Sequence, residues 1–376
     1  MFRLIALVAV GVFVSACNPP QSNTPQSNTP ASSAGNATGT AVAQQETITL
    51  KLAHGWPKGF PLFGQSVEDY AELVKSLSDG RIQISVDSTN KHKSSFGIFD
   101  FVKSGQYDIG QTASYYYGGK DPDTLFFTSM PFSMTAQEQW AWFYHGGGLE
   151  LANEVYAKHN IRVMLGGNTG MQMGGWFREE IKNVEDLNGL KMRIPGFAGK
   201  VIAGVGAVPT NIPAGELYQA LERGTIDALE WVGPSLDLRM GFHKVAPYYY
   251  SGWHEPATEL IYFFNEEKMA SLPEWAQSIL LNAAKLTSYN MSTATFDANA
   301  KNWKAIETEF PDVQIKQFPA DVISALKESN AKLIESEKAR SDVAKRIIES
   351  RENYLKTARE WTEIGEQLYL DSIVDQ

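Results

Sequence analysis

Hydrophobic and polar positions alternate through "TITLKLAHGWP", with Ile48, Leu50 and Leu52 on one side, which predicts a strand stopping at Gly55-Trp56-Pro57. The period then changes. Val67, Tyr70, Val74 and Leu77 recur at helical spacing, and Asp79-Gly80 ends that helix. "RIQISV" reads as the next strand, and "FGIFDFVKSGQYDIGQTAS" as a short helix, a stop at Gly105 and a strand over 108–114. The same alternation restarts after residue 160: "IRVMLGG", "MGGWF" and "GLKMRIP" read as strands and "FAGKVIAGVGA" as a helix. "PAGELYQALERG" predicts a further helix ending at Gly224, and "TIDALEWVG" the strand after it. Two α/β units of similar size predict two lobes, each a sheet covered by helices, with a cleft between them suited to a small molecule.

The two ends of the chain break this pattern. From Ala320 through Ile364, 45 residues run without Pro or Gly and are rich in Ala, Glu, Lys and Arg. A continuous helix of that length would be on the order of 65 Å long. Val322, Leu326, Leu333, Val343, Ile347, Leu355, Trp361 and Ile364 form a broken apolar stripe along it. Such a stripe suits a kinked surface helix packed on its own lobes, or a helix that also contacts a second chain. At the other end, Arg3 precedes the apolar stretch Leu4 to Val14, too short to span a bilayer, and Ser15-Ala16 precede Cys17, the chain's single cysteine. That order predicts a lipoprotein signal with lipid attached at Cys17. Residues 18–46, with the repeat "PQSNTPQSNTP" and Glu46 as their one charge, predict a disordered tether.

Composition narrows the function more by exclusion than by assignment. The 376 residues are 43% hydrophobic and 20% charged, and the net charge of −10 argues against nucleic acid. "HGGG" at His145–Gly148 resembles an esterase oxyanion loop, but the sequence has no Gly-x-Ser-x-Gly nucleophile elbow. "GGNTGMQMGG" lacks both the dinucleotide and the phosphate-loop spacing. The six histidines are scattered with no transition-metal spacing. Catalysis therefore has no visible support. What remains is polar residues among aromatics at strand ends, where α/β lobes meet ligands. They are Tyr115 to Tyr117 in "SYYYGGKDP", Glu230 and Trp231 in "ALEWVGP", and Trp253 and Glu255 in "YYYSGWHEP". Core packing alone accounts for an aromatic cluster. Glu230, between Leu229 and Trp231, needs a partner if buried.

The run "GGNTGMQMGGWF … LNGLKMRIPGFAGKVIAGVGAVPTNIPAGELYQALERGTIDALEWVGP … KVAPYYYSGWHEP" closely resembles the solute-binding proteins of tripartite ATP-independent periplasmic (TRAP) transporters. The branch it resembles most binds 2-oxo and 2-hydroxy monocarboxylates, and the resemblance extends over roughly residues 47 to 376. It implies a two-lobed α/β periplasmic-binding fold closing on one small organic acid, with strands crossing between lobes and a long C-terminal helix that can pair two chains. The expected organisation is 1–16 signal, 17–46 tether, 47–169 plus 257–297 first lobe, 170–256 plus 298–319 second lobe, and 320–376 long helix. By the same resemblance Arg193 of "KMRIP" grips the ligand carboxylate, and Gln172 of "MQMGGW" touches ligand and cation. Glu230, Trp231 and Glu255 hold the cation, Glu255 also facing the ligand, and Tyr115 and Tyr116 line the substrate site.

A charge count supports a cation. Glu230, Glu255 and a ligand carboxylate face one positive Arg193, so either a carboxylate protonates or a cation joins. Oxygen ligands from Gln172, Glu230, the Trp231 carbonyl and the acid suit Na⁺ or Ca²⁺. The stretch "NKHKSSFGIFDFVKSG" departs from the family by carrying Lys91, His92 and Lys93 where a small, glycine-containing run is expected. If it borders the cleft, the far end of the ligand differs from that of pyruvate or lactate. The resulting expectation is an extracytoplasmic, non-enzymatic solute receptor that delivers a small carboxylate to membrane permease subunits. A ligand-sensing partner of a signalling system using the same cleft is the alternative.

Overall fold

The computed structural model describes residues Thr47–Ile373; the expected signal, Cys17 and the tether lie outside the described residues. In chain order the strands are β1 (Ile48–His54), β2 (Ile82–Asp87), β3 (Ile109–Ala113), β4 (Ile161–Asn168), β5 (Gly175–Phe177), β6 (Lys191–Arg193), β7 (Val208–Thr210), β8 (Ala228–Leu229), β9 (Tyr248–Tyr250), β10 (Glu259–Asn265) and β11 (Gln314–Lys316). They form two sheets, ordered β2-β1-β3-β10-β4 and β11-β9-β5-β8-β6-β7. In the first sheet β10 runs antiparallel to both its neighbours, β3 and β4. In the second β5 runs antiparallel to both β8 and β9. This is the predicted mixed α/β architecture with two sheets.

The chain passes between the sheets three times. β4 leads into β5 through residues 169–174, β9 into β10 through 251–258, and the helix Glu274–Glu309 precedes β11. At 36 residues this helix is about 54 Å long, and it packs against β4 of the first sheet and against the helix Pro234–Met240 beside the second. The first two crossings are hydrogen-bonded to one another: the Thr169 amide donates to the Thr258 carbonyl at 3.0 Å, and the Gln172 amide to the Glu255 carbonyl at 3.0 Å. Glycine makes that approach possible, since a Cβ on Gly252 would stand 1.9 Å from the Gln172 carbonyl oxygen. The glycine-rich run "GGNTGMQMGG", which lacks phosphate-loop spacing, is thus part of a paired crossing.

Two expected elements come out shorter. "TIDALEWVG" pairs only over Ala228–Leu229. There the Val232 and Gly233 amides turn away to donate to Asp237 Oδ1, at 3.1 and 3.0 Å, so the chain leaves the sheet just before Glu230. The long tail helix, expected over 320–376 and open to a kink, is broken once. Helices span Ala320–Arg340 and Asp342–Thr362, and Ser341 between them is extended at φ −159°. Ser341 Oγ accepts the Ala344 amide at 3.1 Å, which makes the serine an N-cap for the second helix. The first tail helix buries Val322 and Leu326 beside the second sheet's helix Gly196–Ala203; the second buries Ala344, Ile347 and Ile348 near the helices Ala136–His145 and Gly148–Ala157. Past Thr362 the turn widens into a π-helix over Glu363–Gln367, followed by the helix Leu368–Ile373.

Candidate functional site

β6 ends at Arg193, and its neighbour β8 ends at Leu229, so Arg193 and Glu230 leave adjacent strands side by side. Arg193 Nη1 donates to Glu230 Oε1 at 2.5 Å and to the Glu230 carbonyl at 2.9 Å, and Nε reaches the Ile212 carbonyl at 3.4 Å. Among the described residues Nη2 has no hydrogen-bond partner. The guanidinium lies 5.2 Å from the Trp231 ring centroid. Arg193 is 1% exposed and Glu230 0% exposed, so this is a fully desolvated ion pair.

The crossing segments supply the rest. His254 Nε2 stands 3.3 Å from Glu230 Oε2. A carboxylate can only accept, so Nε2 carries the proton, and the buried Nδ1 is left without a partner. Glu255 accepts from the Thr258 hydroxyl. Gln172 Nε2 donates to Thr169 Oγ1 at 3.1 Å, while Gln172 Oε1 and Trp231 Nε1 are buried with no partner among the described residues. Ligating atoms of Glu230, His254 and Glu255 all lie within 4.8 Å of one another, and all three residues are buried.

From the first sheet, Tyr115 and Tyr116 follow β3 and form the opposite wall. Their rings meet edge-on at 4.7 Å, and a Cβ on Gly196 would touch the Tyr115 ring at 3.4 Å. Gly196 has φ +65°, so the Pro195-Gly196 turn after β6 lets the backbone come up against that ring. Phe60 meets Trp231 at 6.2 Å from the same side.

The electrostatics of this cluster are unbalanced. Burial, then repulsion from Glu230, pushes the Glu255 carboxyl up to about 7, against the opposing pull of His254, Thr258 and Arg193. Burial alone would lower Arg193, but the Glu230 carboxylate and the facing Tyr116 and Tyr115 raise it overall. Tyr115 is pushed well above its ordinary value by burial and by the Glu255 charge. Buried carboxylates thus outnumber the arginine, and the unused Gln172 oxygen completes an oxygen-rich set. These residues fit a hard cation such as Na⁺ or Ca²⁺, which Glu230, Glu255 and Gln172 would hold.

Of the residues singled out from sequence, Arg193, Gln172, Glu230, Trp231, Glu255, Tyr115 and Tyr116 are brought together. Glu255 is turned inward, 2% exposed. His254 was missed, although it lies in the quoted "GWHEP". The departing loop contributes differently from expectation. Lys91 is drawn to Asp87 at 2.7 Å, and His92 Nε2 lies 3.1 Å from the His54 carbonyl. It is Phe96 that reaches the aromatic wall, 4.8 Å from Tyr116.

Residues 52–340 match the bacterial extracellular solute-binding protein family 7. A monocarboxylate 2-oxoacid-binding periplasmic protein from a Nostoc species is 35% identical over 337 residues, covering 88% of this chain and 91% of that protein. Among solved structures, a TRAP periplasmic solute-binding protein from Pseudoalteromonas atlantica, with bound sodium and pyruvate, is 54% identical at a TM-score of 0.86 and covers 87% of this chain and 100% of its own. One from Colwellia psychrerythraea, with bound calcium and pyruvate, is 53% identical at a TM-score of 0.86 over the same shares. A Bordetella bronchiseptica TRAP solute-binding protein, a mixed-occupancy dimer with copurified calcium and picolinate, is 32% identical at 0.84, over 87% and 97% of the chains.

Proposed function

Because this chain belongs to family 7 of the bacterial extracellular solute-binding proteins, we propose that it captures a 2-oxo monocarboxylate of the pyruvate class together with Na⁺ or Ca²⁺. The observation that carries this reading is the sealed Arg193–Glu230–His254–Glu255 cluster with the unpartnered Gln172 oxygen. The relatives with pyruvate and sodium or calcium support it. Nη2 of Arg193 is the donor free to meet the ligand carboxylate. A two-pronged grip draws in Nη1 or Nε as well, and a bound cation assists by taking over the charge of Glu230, which now holds Nη1. The cation supplies positive charge between the two glutamates and the acid.

Residues 47–169 plus 257–297 and 170–256 plus 298–319 act as the closing lobes, with the 169–174 and 251–258 crossings as the hinge. Closure presents the ligand-loaded form to TRAP membrane permease subunits. The protein binds and releases its acid unchanged. Two copies pair through the C-terminal end, where Trp361, Ile364, Leu368, Tyr369 and Leu370 are exposed, and lipid on Cys17 tethers the receptor outside the cytoplasm.

Titration calorimetry tests the central reading. Protein stripped with chelator in Na⁺-free buffer should bind pyruvate weakly and regain affinity when Na⁺ or Ca²⁺ is restored. Equal affinity in every condition overturns the bridging cation; no binding of any 2-oxo acid overturns the ligand class.

A further inference from the structure

Arg351, in the middle of the second tail helix, is 3% exposed yet has no carboxylate partner among the described residues. The groups it bonds and stacks against are neutral. Nη1 donates to the Phe126 carbonyl at 3.1 Å, Nη2 to Ser133 Oγ at 3.3 Å, and the guanidinium sits 4.6 Å over the Trp142 ring. Nε is buried with no partner among the described residues. Burial without a countercharge pulls this guanidinium down to about 10.

Beside it is a half-open pocket of about 140 Å³, lined by Met130, Phe132, Ile334 and Leu355 with Ser133 and Asn330 as its further polar walls. Asn330 Oδ1 is likewise buried without a partner, and turning the amide over presents Nδ2 to the cavity instead. Glu352 also contributes to the lining, but its half-exposed carboxylate is engaged by Lys338 at 3.0 Å. A buried arginine with an idle donor, a hydroxyl and an unsatisfied amide around one small space make a site for negative charge.

We propose that this cavity binds a small monovalent anion of halide size against Arg351, fastening the two tail helices to the loop Met130–Ser133. Its size excludes nucleotides and sugars, and its apolar rim disfavours strongly hydrated divalent anions. The site is separate from the cleft: its residues lie on the tail and on the connection before the helix Ala136–His145, none of them among those grouped around Arg193.

The test uses the full chain at constant ionic strength, replacing sodium gluconate stepwise by sodium chloride. A saturable rise in melting temperature of about 2–4 °C is expected, and it should persist in Arg193→Ala, which removes the cleft arginine as an alternative anion site. Asn330→Asp places a carboxylate in the cavity. It should raise the melting temperature in gluconate and abolish the chloride response, a result that does not depend on Arg351→Gln remaining folded. Crystals grown in bromide should show an anomalous peak beside Arg351 Nε. A chloride response absent from the wild type, or lost in Arg193→Ala, overturns the proposal. So does a bromide peak without any thermal response, which marks an adventitious ion only.

Discussion

At Arg193 the sequence offered a strand residue before a Pro-Gly turn, and the fold makes it the one guanidinium inside a cluster of buried carboxylates. Replacing it with lysine keeps a charge beside Glu230 but loses the planar fork. Arg193→Lys should therefore fold while binding its acid weaker by roughly 2–5 kcal/mol. Arg193→Ala also strands Glu230 without a countercharge and should lower stability as well. Calorimetry and thermal melts run side by side separate the two effects, and near-wild-type affinity in Arg193→Lys removes the clamp. The participants Gln172, Glu230 and Glu255 were legible because they sit in runs with recognisable neighbours. His254 was not, since one histidine next to a glutamate has no spacing signature, and Glu230 reaches it from 24 residues away.

Two other buried carboxylates carry a pH prediction, Asp237 behind the Glu230–Trp231 turn and Glu259 on β10. Asp237 accepts from Trp176, Tyr249 and the Val232 and Gly233 amides, and Glu259 from Trp140, Asn168, Ser288 and the Gly167 amide. Burial outweighs those donors and pushes both up to about 7. A raised carboxyl contributes its stability in full below its unfolded value and loses it as pH rises through the folded one. Buried His54 and half-buried His92 and His243 are lowered by desolvation, so they add stability as pH rises and oppose this trend, mostly at the acid side of the window. Unfolding free energy should then fall by roughly 1–2 kcal/mol between pH 6.5 and 8. Urea melts across that range check it; a flat profile means that the donors keep both groups ionised.

Among the elements, the tail departs most from its sequence pattern. Forty-five residues without Pro or Gly gave no stop signal, and serine is as acceptable inside a helix as at its start. The break at Ser341 is tertiary in origin: Arg340 is held by Asp123 at 2.5 Å and by Glu337 at 2.6 Å, which turns the chain before the second helix begins. β10 and the helix Glu274–Glu309 escaped the periodicity reading for a related reason. All seven residues of β10 are buried, and the helix carries apolar residues around much of its circumference as it runs from one sheet to the other, so neither shows a clean amphipathic period. The packed and exposed parts of the tail predict different truncations. Removing residues after Thr362 takes away an exposed apolar end and should convert a dimer to a monomer in light scattering, with the melting temperature nearly unchanged. Removing everything after Phe318 uncovers the surface buried by Val322, Leu326, Ile347 and Ile348 and should destabilise the body itself. A full chain that is already monomeric at micromolar concentration rules out pairing through this end.

For the whole molecule, the tail joins the two sheets from outside the cleft. Lys200, on the helix after β6, pairs with Glu337 at 2.7 Å; Glu337 also holds Arg340, which reaches Asp123 on the first-sheet side. Glu337 is 5% exposed, and the Lys200 and Arg340 charges hold its carboxyl below its usual range despite burial. The chain of charges ties the helix after β6 to the first-sheet side; with the proposed closure of the two bodies on the ligand, it would favour the closed arrangement. Glu337→Gln preserves the shape and removes the charge. If closing is part of binding, the apparent affinity for the acid should fall roughly 3- to 10-fold, equivalent to about 1 kcal/mol taken from the closed state. The ligand-free variant should also scatter as a more open particle than the wild type. Lys200→Met should produce the same change from the other end, while the double variant should add little to either, because both act on one contact. An affinity and scattering profile identical to wild type in all three would place closure entirely in the hinge and the ligand.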